Sequence, residues 1–300
     1  MIVRRPSKDI CDKCFIFFNQ SKFDFIQTRE ISDVDEASVR ASDPFQTDST
    51  EGSAEAVVDF HAEADEDALV DEAAIAKATK HVKMAKDQRA AANAEMRQAL
   101  NDSKKDAPWD ERHDCLVANF CQNLGLPFLE KDQPGETYYF SPLTVNCFGV
   151  INTAVEKHEL TAFLYHEGEG KKGGNVVASL LYKFLKEKGW LDQEKGARKQ
   201  LTLVMDNCSG QNKNRMVLHF AVLLVELDFY IRVEVFFLVT GHTKNCNDRL
   251  FNLLKQVYRK QNMYTMDQLA TALDTNRYVT PIHVKMDELF DFDSFEDTIY

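Results

Sequence analysis

The run Leu201-Thr202-Leu203-Val204-Met205-Asp206-Asn207-Cys208-Ser209-Gly210-Gln211-Asn212-Lys213-Asn214 sets an aspartate at the mouth of an apolar strand, with a polar turn directly behind it. Five largely apolar, partly β-branched residues predict a buried strand, and the Asn, Ser and Gly that follow supply turn chemistry. A second run repeats the arrangement: Gly241-His242-Thr243-Lys244-Asn245-Cys246-Asn247-Asp248 follows the apolar stretch Val233 to Val239 and delivers another aspartate. Carboxylates converging from separate elements are what a hard divalent cation such as Mg²⁺ or Mn²⁺ requires. The same two residues also have ordinary work open to them, Asp206 closing a turn and Asp248 capping a helix. Spacing alone leaves both readings open.

Working outward, the chain from Pro108 onward alternates strands and helices with short connections, an α/β pattern. Cys115 to Cys121, Tyr138 to Asn152 and Leu160 to Tyr165 read as three strands in an antiparallel meander, the last two joined by the polar turn Glu156-Lys157-His158-Glu159. Gly173-Gly174-Asn175 opens a helix through Lys188, with Val176, Val177, Leu180, Leu181, Phe184 and Leu185 on one face and Gly189 closing it. Strand Leu201 to Met205, helix Asn214 to Leu227, strand Val233 to Val239 and helix Asn247 to Lys260 follow, an alternation that implies parallel pairing through right-handed crossovers. Thr265-Met266-Asp267-Gln268 fits a capping box for one more short helix, and Tyr278 to Val284 a last extended segment.

Upstream the composition changes twice. Residues 1–31 contain the pair Cys11-Asp12-Lys13-Cys14, half of a zinc site, with a plain turn bearing two thiols as the other reading. Residues 32–67 mix Asp, Glu, Ser, Ala and Thr and bury too little apolar surface to offset their ordering entropy, which predicts a disordered acidic linker. Residues 68–105 read as one long helix, with Ile75, Thr79, Val82, Arg89, Ala92, Met96 and Ala99 at helical spacing. That narrow, alanine-rich stripe suits lying along the body or along a second helix, including helix-mediated self-association. Residues 106–285 form the core, and residues 286–300 an acidic aromatic tail that reads as truncated.

The chain carries a net charge of −12, unevenly spread. Residues 33–72 hold fourteen acids and one base, whereas 73–286 sum to about +5, so a mildly basic body lies between acidic segments. That balance permits DNA contact without demanding it. The longest apolar run, Met216 to Leu227, is interrupted by His219 and Glu226, too short and polar for a bilayer, so no membrane partner is expected. Seven scattered cysteines read as reduced thiols of a nuclear or cytoplasmic protein.

Taken together, Gln122-Asn123-Leu124-Gly125-Leu126-Pro127, Gln133-Pro134-Gly135-Glu136-Thr137-Tyr138-Tyr139, Lys172-Gly173-Gly174-Asn175, and the Asp206–Asn214 and Gly241–Asp248 runs resemble an uncharacterised family of transposase-derived domains. That family is similar to the DDE integrases and carries a ribonuclease H-like fold, whose order of three strands followed by αβαβα is the order read above. The resemblance spans roughly Leu116 to Phe290, with a weaker likeness over Arg5 to Phe15. It implies that Asp206 and Asp248 stand at the second and third acidic positions and that His242 is the histidine of the Gly-His-Thr motif. The first acidic position falls just before Cys121-Gln122-Asn123, where this chain has Asn119. An amide keeps a carbonyl ligand but loses the charge that offsets two cations, so the resemblance implies a degenerate domain retaining at most nucleic-acid or partner binding. The alternative is an active Mg²⁺-dependent strand-transfer or nuclease core using Asp206 and Asp248. A small-molecule enzyme of doubly wound type would need a glycine-rich turn after the first strand, where Gln122-Asn123-Leu124 stands instead.

Around these positions, His242 reads either as a ligand or proton shuttle or as a hydrogen-bonded turn residue. Lys213, Arg215, Lys244 and Arg249, at the starts of two helices, could contact phosphates or simply be solvated. Gly168 to Gly174 lacks Walker spacing and reads as a helix-entry loop. Asp114 and Glu167 could replace the missing carboxylate only under a different strand register.

Overall fold

A computed structural model describes residues 72–131, 135, 139–292 and 294. The Cys11/Cys14 pair, the acidic linker and most of the Gln133–Tyr139 motif lie outside them. The chain divides into two compact units, Met1–Lys83 and Met84–Tyr300, and the sheet with its covering helices belongs to the second.

Long helix α1 (Glu72–Lys104) covers the expected region, but its buried positions differ in part. Ala85, Ala92 and Ala99 are buried, seven residues apart, while Arg89 stands outside that line. The seven-residue period keeps one narrow alanine edge on the sheet, because small side chains let the helix approach closely.

Seven strands follow: β1 (His113–Phe120), β2 (Leu124–Leu126), β3 (Leu143–Asn152), β4 (Leu160–His166), β5 (Arg198–Asp206), β6 (Tyr230–Leu238) and β7 (Val279–His283). They form one sheet in the order β6-β5-β1-β3-β4-β7, with β2 paired to β3. β3 pairs antiparallel with β1 on one side and β4 on the other, whereas β5 pairs parallel to β1 and β6 parallel to β5. β1 is buried along seven of its eight residues, as expected of a central strand covered on both faces. The expected second strand starts later, at Leu143, and β6 starts earlier, at Tyr230. β2 and the parallel pairing of β7 with β4 were not legible in the sequence.

Helices α2 (Gly174–Glu187) and α3 (Arg215–Glu226) cover one face. Their Val177, Leu181, Phe184, Val217, Phe220 and Leu224 pack on Leu116, Ala118, Leu203 and Met205. Helices α4 (Cys246–Tyr258) and α5 (Met266–Asp274) cover the other, over Cys147, Ile151, Leu160 and Leu164. Alternate residues of β1 and β5 therefore point to opposite layers, and a one-residue slip in register would exchange both sets. Asn214 caps α3 by accepting from the Val217 N–H at 3.1 Å, and Thr265 caps α5 by accepting from Gln268 N–H. The expected capping box at Thr265 is shifted by one residue, since Gln268 Oε1 accepts from Tyr264 N–H.

At the sheet end opposite the aspartates, Asp114 and Arg198 form a buried ion pair. Arg198 Nε and Nη2 donate to Asp114 at 2.5 and 2.7 Å, and Tyr230 Oη donates to it at 3.2 Å. The guanidinium lies over the rings of Trp109 and Trp190. Asp114 is thus a structural partner far from Asn119. Residues 286–292, read in the sequence as the start of a tail, lie on α2: Phe290 N–H donates to Ser179 Oγ and Phe292 N–H to Asn175 Oδ1. No helix among the described residues is long and apolar enough to cross a membrane.

Candidate functional site

β1 and β5 pair with a constant offset up to Val117↔Val204. Two residues past that last rung, at the carboxyl ends of the two adjacent strands, stand Asn119 and Asp206. Val117 and Val204 both face the layer of α1 and Cys246, and a strand repeats its facing every second residue, so Asn119 and Asp206 face that layer too. Asn119 is buried, its Oδ1 accepting from the Phe120 N–H at 2.8 Å. Asp206 is half-buried, and its Oδ1 accepts from the Cys208 N–H at 3.3 Å and from Asn212 Nδ2.

Asn212 is fully buried, although it sits in a polar turn. Its companion is Asn247, also fully buried, whose Nδ2 donates to Val117 O at 3.1 Å and to Gly149 O at 3.4 Å. Asn247 thereby pins the first turn of α4 over β1 and β3. Both residues lie within the quoted motif runs, which is the one signal that could have singled them out. Gly149 is where Phe251 crosses the strand: a Cβ there would lie 2.5 Å from Phe251 Cε1 and 2.6 Å from Leu160 Cδ1.

Asp248 occupies the third position of α4, and its carboxylate accepts from the Asn245 N–H at 2.8 Å, completing a capping box with Asn245. It is exposed. His242 and Lys244 lie in the preceding turn, where Gly241 takes φ +82° and the carbonyls of His242 and Lys244 accept from Arg89 Nη2 at 2.8 and 3.1 Å. Arg89 is therefore a brace for this turn, a role its helical spacing did not indicate. Lys213 and Arg215 begin α3 on one side of the sheet, whereas Lys244 and Arg249 begin α4 on the other. Lys213 Nζ lies 5.8 Å from the Phe237 ring centroid. Glu167 Oε1 accepts from the Thr144 N–H.

Four further motif residues, Lys172, Gly174, Gln122 and Gly125, lie toward this sheet end. Lys172 Nζ donates to Cys121 O at 2.9 Å and lies over the Phe120 ring, while burial lowers its pKa. Gly174 lies so close to Asn214 that a Cβ would overlap the amide. Gln122 Oε1 accepts from Lys255 Nζ of α4, and Tyr258 Oη bonds both the N–H and the carbonyl of Gly125. Segments spread over more than a hundred residues thus converge on the carboxyl ends of β1 and β5.

A two-cation centre needs several carboxylates converging on ions about 3.5–4 Å apart. Here the first position is an amide, Asp248 is turned into its own helix cap, and no group of three His, Cys, Asp or Glu side chains converges among the described residues. The residues in this arrangement do not fit two divalent ions, and no catalytic step is derived through them.

No curated protein matches the chain. Among solved structures, it is similar to the crystal structure of the Mos1 strand transfer complex, with 12% identity, 91% of this chain and 72% of that chain covered, and a TM-score of 0.35. It is also similar to the crystal structure of a pre-cleavage Mos1 transpososome, with 11% identity, 92% and 73% covered, and a TM-score of 0.37. Residues 136–299, more than half of the chain, match the family described as Domain of unknown function (DUF7869), and the chain belongs to that family.

Proposed function

We propose that this is a transposase-derived, ribonuclease H-like domain of DDE type in which Asn119 replaces the first acidic ligand, leaving at most binding of nucleic acid or a protein partner. What supports the reading is that Asn119 and Asp206 each lie two residues past Val117↔Val204, the last paired rung of the adjacent strands β1 and β5, within a sheet of order β6-β5-β1-β3-β4. In the resembling family a pair of carboxylates is expected at those two positions. The loss of one charge weakens cation binding and nucleophile activation together.

The test compares the natural full chain with Asn119→Asp. An aspartate at 119 can still accept from Phe120 N–H, but it sets a second carboxylate beside Asp206, and two close like charges are relieved by a bound cation. We expect no Mn²⁺-dependent nicking of supercoiled plasmid by the natural chain. For Asn119→Asp we expect Mn²⁺ binding about tenfold tighter or more, on the scale of ligand-sphere changes, with a Mn²⁺-dependent rise in melting temperature absent from the natural chain. Nicking of equal size in both proteins, abolished by Asp206→Ala, would overturn the degenerate reading in favour of an active nuclease core.

A further inference from the structure

Cys121 and Cys147 are opposed across the last rung of the β1/β3 ladder. The register ends at Phe120↔Phe148, and the next residue, Cys121, donates its N–H to Cys147 O at 2.8 Å. Both side chains enter the same apolar cluster beneath α4. Both are free cysteines. Opposed residues of an antiparallel pair have Cα atoms about 4.5–5.5 Å apart, inside the roughly 4.4–6.8 Å window that a disulfide accepts.

The surroundings divide the labour between the two sulfurs. Hydrogen bonding from Cys147 lowers the pKa of Cys121, with help from the Lys255 and Lys172 ammonium groups, against the opposing effect of burial. Cys147, fully buried, is pushed up. Cys121, itself buried at 3% exposure, is the one at the strand end, next to the exposed Gln122 and Asn123. Buried Cys115, in the separate cluster that Cys246 packs against, is pushed up to about 12 by burial.

We propose that Cys121 and Cys147 are a redox-active dithiol that closes to an intrachain disulfide when exposed to a low-molecular-weight disulfide. Cys121, as thiolate, attacks one sulfur of the small disulfide, forming a mixed disulfide and releasing one thiolate. Cys147 gives up its proton and attacks Cys121 Sγ, expelling the second small thiolate. The two protein thiols lose two electrons and two protons in all, and the small disulfide is reduced to two thiols. The bridge ties the end of β1 to β3 two residues from Asn119, whether or not Asn119 replaces a metal ligand.

The test equilibrates the native full chain in oxidised and reduced glutathione, quenches it with acid, alkylates the remaining thiols and maps the peptides by mass. The expected product is a linked Cys121–Cys147 pair, two hydrogens lighter. Its ratio to the reduced pair should fall about a hundredfold for a tenfold rise in reduced glutathione at fixed oxidised glutathione, because two small thiols are released per bridge. Cys147→Ala should convert the product to a Cys121–glutathione adduct, whose ratio falls only about tenfold in the same series. If that variant fails to fold by circular dichroism, Cys121→Ala, which should leave Cys147 unmodified, answers the same question. Linkage of Cys121 to Cys208, or persistence of both thiols while other cysteines react, would overturn the proposal.

Discussion

Arg198→Met is the perturbation from which the structure gives the firmest magnitude. The Arg198 and Asp114 side chains are 1% and 2% exposed, so neither charge has water to fall back on. Two charge-assisted hydrogen bonds at 2.5 and 2.7 Å and two tryptophan faces, at 4.3 and 5.0 Å, are lost together. Methionine refills much of the aliphatic volume, so the cost is mainly electrostatic: Asp114 keeps only the Tyr230 hydroxyl. Removing one partner of a buried pair costs about 3–5 kcal/mol. For a unit of this size that is a fall of roughly 6–20 °C in melting temperature. The double variant Asp114→Leu/Arg198→Met removes both charges and should recover most of the loss, because an apolar replacement of a buried pair is often neutral or stabilising. Thermal and urea unfolding, followed by tryptophan fluorescence from Trp109 and Trp190, would complete the cycle. A cost below about 1 kcal/mol for Arg198→Met, the range of an exposed pair, would refute the buried-pair reasoning.

Gly149→Ala should cost about 1–3 kcal/mol by overpacking against Phe251 and Leu160; Phe251→Leu in the same chain should return part of it, and calorimetric melting would show whether it does. Asn247→Asp should destabilise more than Asn247→Ala at neutral pH, because it turns a carboxylate toward the carbonyls of Val117 and Gly149 where an N–H donated. Its folded-state pKa would be raised, so the excess penalty should shrink as the pH falls through that value, which denaturation at pH 7 and pH 5 can follow.

What the sequence disclosed and what it hid divide along the range of the interactions involved. Asn214 and Thr265 announce helix starts because a cap bonds two or three residues away, and the apolar face of α2 is visible because its period is local. The Asp114–Arg198 pair spans 84 residues, and nothing beside either residue distinguishes a charge entering a sheet from one leaving it. Nothing in the local sequence marks Asn212 or Asn247 as buried, since only the layer laid over them makes them so. β6 was misplaced at its start because Ile231 and Arg232 face outward on an edge strand, where an apolar run is the wrong pattern to seek.

The same distinction bears on the aspartates. Asp206 accepts from the Cys208 N–H and Asp248 from the Asn245 N–H, so each carboxylate has a short-range structural role that accounts for its presence without any cation. At position 119 the local requirement is one acceptor for the Phe120 N–H, which an amide and a carboxylate meet equally. Stability therefore says little about which of the two stands there, whereas a two-cation mechanism depends on it. On the proposed reading, Asp206 and Asp248 are kept by backbone bonding alone, and the position on which cation binding turns is the one whose local bonding is indifferent to its charge.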